Sequence, residues 1–211
     1  MIVVDGEFSG LDPNTHAILS LGAIDMNDPE REFYGECQLP DWATTDPIAM
    51  QINGFSDEEI HDETKKTLGE LAREFIVWAD AAEDRTLAGQ NVWNDWAMLN
   101  AAFNRNEIDW DLGHRILDLH SVVYSHMMAR SQTIPTTNSM SAINSHYICK
   151  YVGLPNEVDP HNALTGAKWE AEAFSRLFYG KNLLPEFADE PVPEYLIQGW
   201  AYNHKRGTIE A

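Results

Sequence analysis

Two carboxylates, Asp5 and Glu7, stand two residues apart at the end of the apolar run Ile2-Val3-Val4, in the segment Val4-Asp5-Gly6-Glu7-Phe8-Ser9-Gly10-Leu11. Alternate side chains of a strand share a face, so both project the same way. Like charges crowded on one face of a sheet repel each other and lose solvation, and such a pair persists only where solvent or cations neutralise it. A divalent cation satisfies both carboxylates at once. An acidic pair on an exposed strand has the same pattern, so the rest of the chain has to discriminate.

The hydrophobic pattern predicts strands over Met1 to Phe8, Ala17 to Asp25 and Glu32 to Leu39, joined closely enough for an antiparallel meander. An irregular, Pro-containing stretch is expected around Asp41 to Glu63. Beyond it, Leu68, Leu71, Phe75, Ile76 and Trp78 recur at helical spacing within Thr67 to Ala82. A short strand at Thr86 to Gln90, a helix at Trp93 to Asn104 and a fifth strand at Arg115 to Leu119 follow. Helices are expected at about Ser121 to Arg130, Ser139 to Val152 and Ala163 to Tyr179, with Gly180 as the stop signal of the last. A meander followed by alternating strands and helices implies an α/β fold with a mixed sheet flanked by helices.

With 211 residues and 44% hydrophobic content, the expectation is one globular domain over 1–180, with 181–211 as a C-terminal tail docked on it. No apolar run approaches the ~20 residues of a membrane span. Neither a signal peptide pattern nor a disulfide framework is visible, so a cytoplasmic protein with two free, buried thiols, Cys37 and Cys149, is expected. The tail's Trp and Tyr residues would favour a homodimer if they did not fold back. The formal net charge of −20 argues against a high-affinity duplex binder, because grip by counterion release needs basic surface. It leaves room for an enzyme that takes one strand end into a cleft where bound cations supply the positive charge.

Three further segments carry candidate chemistry. In Gly89-Gln90-Asn91-Val92-Trp93-Asn94-Asp95, the last residue falls in the first turn of a helix, where an acidic group is either a helix-stabilising residue or a metal ligand. Asp118 and His120 read as a surface pair or a helix cap. His161, in Pro160-His161-Asn162-Ala163-Leu164, sits on a loop before a helix, as a cap or as a general base beside a metal-held water.

Taken in order, Asp5-Gly6-Glu7-Phe8-Ser9-Gly10-Leu11 with Ile18-Leu19-Ser20-Leu21-Gly22-Ala23, then Gly89-Gln90-Asn91 with Asp95, then Pro160-His161-Asn162-Ala163-Leu164, the chain resembles the DEDDh group of 3′→5′ exonucleases over roughly residues 1–180. The resemblance implies a ribonuclease H-like fold with a five-stranded mixed sheet. It also implies two divalent cations, Mg²⁺ or Mn²⁺, held by Asp5, Glu7 and Asp95, with His161 as the base. The substrates it implies are single-stranded DNA or RNA 3′ ends and short oligonucleotides, and the products nucleoside 5′-monophosphates. Phe8, Ser9, Gly10, Leu11 and Asn91 are the expected substrate contacts.

The chain departs from the family at one position. The fourth carboxylate, an Asp five residues after the histidine, is replaced by Gly166. One reading is a catalytically inactive nucleic-acid or protein-binding module that keeps the fold. The other is that Glu170, one helical turn later, reaches back across Gly166 and completes the metal set. On that reading Glu172, on another face, is dispensable, and Gly166→Asp restores a Glu170→Ala variant.

Overall fold

The computed structural model describes residues 1–157 and 160–197. Its seven strands are β1 (Ile2–Phe8), β2 (Ile18–Asp25), β3 (Asp28–Glu36), β4 (Leu87–Gly89), β5 (Leu117–Asp118), β6 (Thr136–Thr137) and β7 (Met140–Ser141). Its helices are α1 (Pro47–Asn53), α2 (Asp57–Ile60), α3 (Leu68–Ala79), α4 (Trp93–Arg105), α5 (Leu119–Ala129), α6 (Ser145–Val152), α7 (Ala163–Tyr179) and α8 (Glu194–Ile197), with a 3-10 turn at Pro185–Phe187.

Five strands form one mixed sheet in the order β3-β2-β1-β4-β5. β1, β2 and β3 pair antiparallel, as the short connections predict, whereas β4 and β5 run parallel to β1. The carboxyl ends of β1, β4 and β5 therefore share one edge, which is where open α/β sheets place their sites. The α/β, five-stranded mixed sheet expected from the sequence is the one observed. No described helix is long and apolar enough to cross a membrane.

The chain packs as two compact units, one formed by Met1–Val122 with Glu157–Ala171 and the other by Val123–Asn156 with the described residues from Glu172 onward. In the first, Ile2, Val4, Leu19 and Leu21 of the sheet meet Leu71 and Phe75 of α3 and Leu99 and Phe103 of α4 in one buried core. Phe33 and Phe75 meet edge-on, with ring centroids 5.5 Å apart. The second unit is built around Arg176, which is fully buried together with Glu172. Arg176 donates to Glu172 at 2.7 Å and, through Nη1, to the carbonyls of Val152 and Gly153 at 3.0 and 2.8 Å. Glu172 also accepts from the amides of Leu183 and Leu184 at 2.8 and 3.1 Å. Glu172 thus has a structural role that the sequence does not announce, because local helical spacing shows its face but not the chain that closes over it.

Several element boundaries differ from the sequence expectation for identifiable reasons. The stretch from Asp41 to Glu63 is not wholly irregular. Asp46 caps α1 through hydrogen bonds from Ile48 and Ala49, Pro47 opens it and Gly54, at φ 73°, ends it. Ser56 and Glu59 form a capping box that starts α2. β3 starts at Asp28, four residues early, because a tight hairpin lets Asp25 pair with Asp28. α6 starts at Ser145, not Ser139: Asn138 and Ser139 take positive φ in the turn of the β6-β7 hairpin, and Asn144 then caps the helix. Gly180, at φ 64°, does end α7. Among the described residues neither Cys37 nor Cys149 is in a disulfide, and Cys149 is only half-buried. The expected tail segment Tyr195 to Tyr202 extends beyond Ile197, and its remainder lies outside the described residues.

Candidate active site

β1 carries Asp5 and Glu7 side by side on one face, opposite Gly22 and Ser20 of β2. Gly22 is there for a steric reason. A β-carbon at that position would lie 2.3 Å from the backbone of Ala163 and Leu164, so glycine lets β2 pass against the start of α7. The first turns of α7 are thereby laid over Asp5. β4 ends at Gly89 beside β1, and Asn91, at φ 53°, turns the chain from β4 into α4. Asp95 follows in the first turn of that helix and is 4% exposed.

Asp5, Glu7, Asp95 and Glu170 form one electrostatic cluster. Burial raises the Asp5 carboxyl well above the usual range, with Asp95, Glu7 and Glu157 adding to the rise. Burial also raises Glu7, to about 7, with help from Glu157. Asp95 is raised by burial and by Glu7. Glu170 is raised by burial and then by Asp5 and Asp95, against the pull of the Gln90 amide. The common cause is burial of carboxylates close to one another, which penalises their charged forms. Glu170 as a whole is half-buried, but its Oε2 is fully enclosed, 3.1 Å from where a β-carbon on Gly89 would sit. Its carboxylate therefore joins the cluster at the β4 side. The space over Gly166 belongs instead to Asp5 Oδ2, so the geometry departs from the expectation of a glutamate reaching back across the glycine.

His161 is tied to the same region. Its amide donates to the Ile52 carbonyl at the end of α1 at 3.4 Å, and its Nδ1 lies 3.9 Å from Glu157 Oε2. Asn162 caps α7 by accepting from Leu164 and Thr165. Glu157 is the functional candidate that carries no signal in the sequence: it belongs to no periodic element, and its link to Asp5, Glu7 and Glu170 is made only by the fold. Asp118 behaves as a cap, accepting from both the amide and the hydroxyl of Ser121 at 2.9 Å.

The expected substrate contacts divide. Leu11 is 72% exposed, Asn91 is exposed and Phe8 is half-buried beside Gly6. Ser9 is fully buried, and its Oγ accepts from the Ala17 amide at 3.0 Å while its carbonyl accepts from Asp46 at 2.6 Å. Gly10 is buried against the His16 ring, which a β-carbon would meet at 2.3 Å. Ser9 and Gly10 hold the turn and do not present themselves to a ligand, so the expectation of nucleotide contact passes to Phe8, Leu11 and Asn91.

The donor chemistry suits a hard divalent cation. All four clustered groups offer carboxylate oxygens, and Asp95 Oδ1 and Glu170 Oε2 are buried with no hydrogen-bond partner among the described residues. Among the described residues no three His, Cys, Asp or Glu side chains already stand at coordination spacing, so cation binding requires these carboxylates to draw together.

The chain is 29% identical over 178 residues to the 3′-5′ DNA exonuclease Cap18 of Escherichia coli, an alignment covering 82% of this chain and 88% of that protein. It is 27% identical over 108 residues to the PolC-type DNA polymerase III of Latilactobacillus sakei subsp. sakei (strain 23K), covering 51% of this chain and 7% of the polymerase. No protein-family model matches. Among solved structures, E. coli Exonuclease I in complex with a dA16 oligonucleotide superposes with a TM-score of 0.67 at 16% identity, covering 89% of this chain and 42% of that one. Cell-death related nuclease 4 (CRN-4) gives 0.65 at 15% identity, covering 83% and 62%. The chain thus spans about two fifths of Exonuclease I and shares its fold. Its likeness in sequence to a 3′-5′ DNA exonuclease, together with its likeness in fold to Exonuclease I, supports a nuclease.

Proposed function

We propose that this protein is a metal-dependent 3′→5′ exonuclease that removes nucleoside 5′-monophosphates from single-stranded DNA ends. The observation that carries the reading is the convergence of Asp5, Glu7, Asp95 and Glu170 from β1, α4 and α7 into one partly enclosed anionic cluster with unpartnered buried oxygens. The sequence relationship with a 3′-5′ DNA exonuclease supports the same activity and favours DNA over RNA.

In this reading Asp5, Glu7, Asp95 and Glu170 hold two Mg²⁺ or Mn²⁺ ions. When bound, the pair supplies a nucleophilic water at neutral pH, charge neutralisation at the scissile phosphate and stabilisation of the leaving 3′ oxygen. Glu157, near His161 Nδ1, orients the imidazole, and Nε2 at the opposite side of the ring takes the proton from the attacking water. Leu11 and Phe8 offer apolar contact to the terminal nucleotide, and Asn91 a polar one.

The test is incubation of 5′-labelled single-stranded DNA and RNA with Mg²⁺, with Mn²⁺ and with chelator. Shortening from the 3′ end with either metal, lost in Asp5→Ala and in chelator, is the expected result. Intact substrate under every metal condition overturns the reading. The inactive-module alternative, motivated by Gly166, loses its ground where Glu170 supplies a fourth carboxylate.

A further inference from the structure

We propose that the hollow beside Trp42 and Arg105 is a second nucleotide subsite, which receives a base of the single strand behind the 3′ end being cleaved; this rests on the exonuclease reading. The hollow has a volume of about 250 Å³ and is lined by Gln38, Leu39, Trp42, Thr67, Arg105 and Asn106. That is smaller than the ~300–1,000 Å³ of pockets for drug-sized ligands and on the scale of a single nucleobase.

In the same compact unit Arg31, Lys65, Lys66, Arg85 and Lys168 are each engaged by a carboxylate, in ion pairs with Asp25, Glu36, Glu74, Asp80 and Glu32. Among the described residues Arg73, Arg105 and Arg115 of this unit have no such ion pair, and of these three Arg105 is the one set over an aromatic ring. Its guanidinium lies 3.8 Å from the centroid of the Trp42 ring, and its Nη2 donates to the Asn14 carbonyl at 2.8 Å. An exposed arginine set over the ring of Trp42, a residue 38% exposed, pairs positive charge with aromatic surface, the combination on which unpaired bases stack regardless of sequence. Gln38, Thr67 and Asn106 add donors and acceptors for base edges. Asp41 also lines the hollow, and its negative charge favours a base there over a phosphate.

Position fits as well. Arg105 closes α4, the helix whose third residue is Asp95, and ten residues of helix separate them by about 15 Å. Asn14, which holds Arg105, belongs to the turn that follows the Asp5-Glu7 strand and carries exposed Leu11. A strand with its 3′ end at the carboxylates and a base at Trp42 would lie along one side of this unit.

The experiment measures binding of 5′-fluorescein oligo(dT) by anisotropy in chelator, where no turnover occurs, comparing a dinucleotide with a twelve-nucleotide strand. The wild type is expected to bind the longer strand more tightly. In Trp42→Ala and Arg105→Met that advantage shrinks roughly 5- to 150-fold, the range expected for one stacked base, and Trp42→Phe retains most of it. Thermal melts identify any variant that fails to fold, and exposed Arg105 provides the change least exposed to that problem. Equal affinity of wild type and Arg105→Met for the long strand overturns the subsite. If the wild type shortens DNA while both variants bind as it does, the subsite fails and the exonuclease reading stands. Strand binding that depends on Trp42 without any shortening gives the reverse result.

Discussion

Asp5 Oδ2 lies 1.9 Å from the point a β-carbon on residue 166 would occupy, so a side chain from β1 fills the volume that a side chain from α7 would otherwise take. Gly166 therefore marks a repacked site in which Asp5 rests directly against the helix. The Gly166→Asp restoration expected from the sequence conflicts with this geometry, since the new side chain starts where Asp5 already is. Gly166→Ala is expected to lower stability by about 1–3 kcal/mol through overpacking and to weaken Mn²⁺ binding by displacing Asp5. Thermal melts and calorimetric Mn²⁺ titration check both effects. Restoration of a Glu170→Ala variant by Gly166→Asp would show that Asp5 swings aside at little cost.

Glu170 should separate metal binding from folding. Its carboxylate is raised by burial and by the neighbouring Asp5 and Asp95 charges, so in metal-free protein at pH 8 its ionisation opposes the fold. Glu170→Gln removes that charge at nearly constant shape. The metal-free variant is expected to melt at a higher temperature than wild type, while its Mn²⁺ affinity falls by at least about tenfold and DNA shortening falls with it. Unchanged Mn²⁺ affinity would remove Glu170 from the ligand set.

Much of this arrangement is legible in the sequence because it is written in local periodicity. Alternation puts Asp5 and Glu7 on one face, and helical spacing puts Gly166 and Glu170 one turn apart. Relations made by the fold have no such signature. Glu157 meets the cluster only because residues 157–171 pack with the sheet unit, and Ser9 is buried because the Asp46 and Ala17 amides close on it. Helices α1 and α2 are different again: their caps, Asp46 with Pro47 and Ser56 with Glu59, are readable signals, but each helix is too short for hydrophobic periodicity to announce it.

The metal-free protein should lose stability as pH rises. Glu7 is raised from 4.5 unfolded to about 7 folded, so between those values the native state holds a proton that the unfolded state has released. The stabilisation is complete below pH 4.5 and is lost as pH climbs through about 7, on the order of 3 kcal/mol for this group. Chemical denaturation in chelator from pH 5 to 8 should show the decline, and saturating Mg²⁺ or Mn²⁺ should reduce it by neutralising the carboxylates. A flat profile in chelator would mean that Glu7 titrates near its ordinary value.

Glu172→Ala tests the other unit with the opposite expectation for its ligand. Glu172 and Arg176 are both fully buried, and Glu172 is the carboxylate that balances a guanidinium otherwise held by backbone carbonyls. Removing it strands a buried cation and frees the amides of Leu183 and Leu184 from their acceptor. Loss of one partner of such a pair costs about 3–5 kcal/mol, a large fraction of a domain's total stability. The melting temperature should therefore fall sharply, whereas Mn²⁺ affinity of the folded fraction should stay at the wild-type value because Glu172 is not among the charges that act on Asp5, Glu7, Asp95 or Glu170. Glu172→Gln, which keeps an acceptor for the Leu183 and Leu184 amides, should lose less. Wild-type stability in Glu172→Ala would mean that Arg176 finds solvent or another anion when its partner is gone.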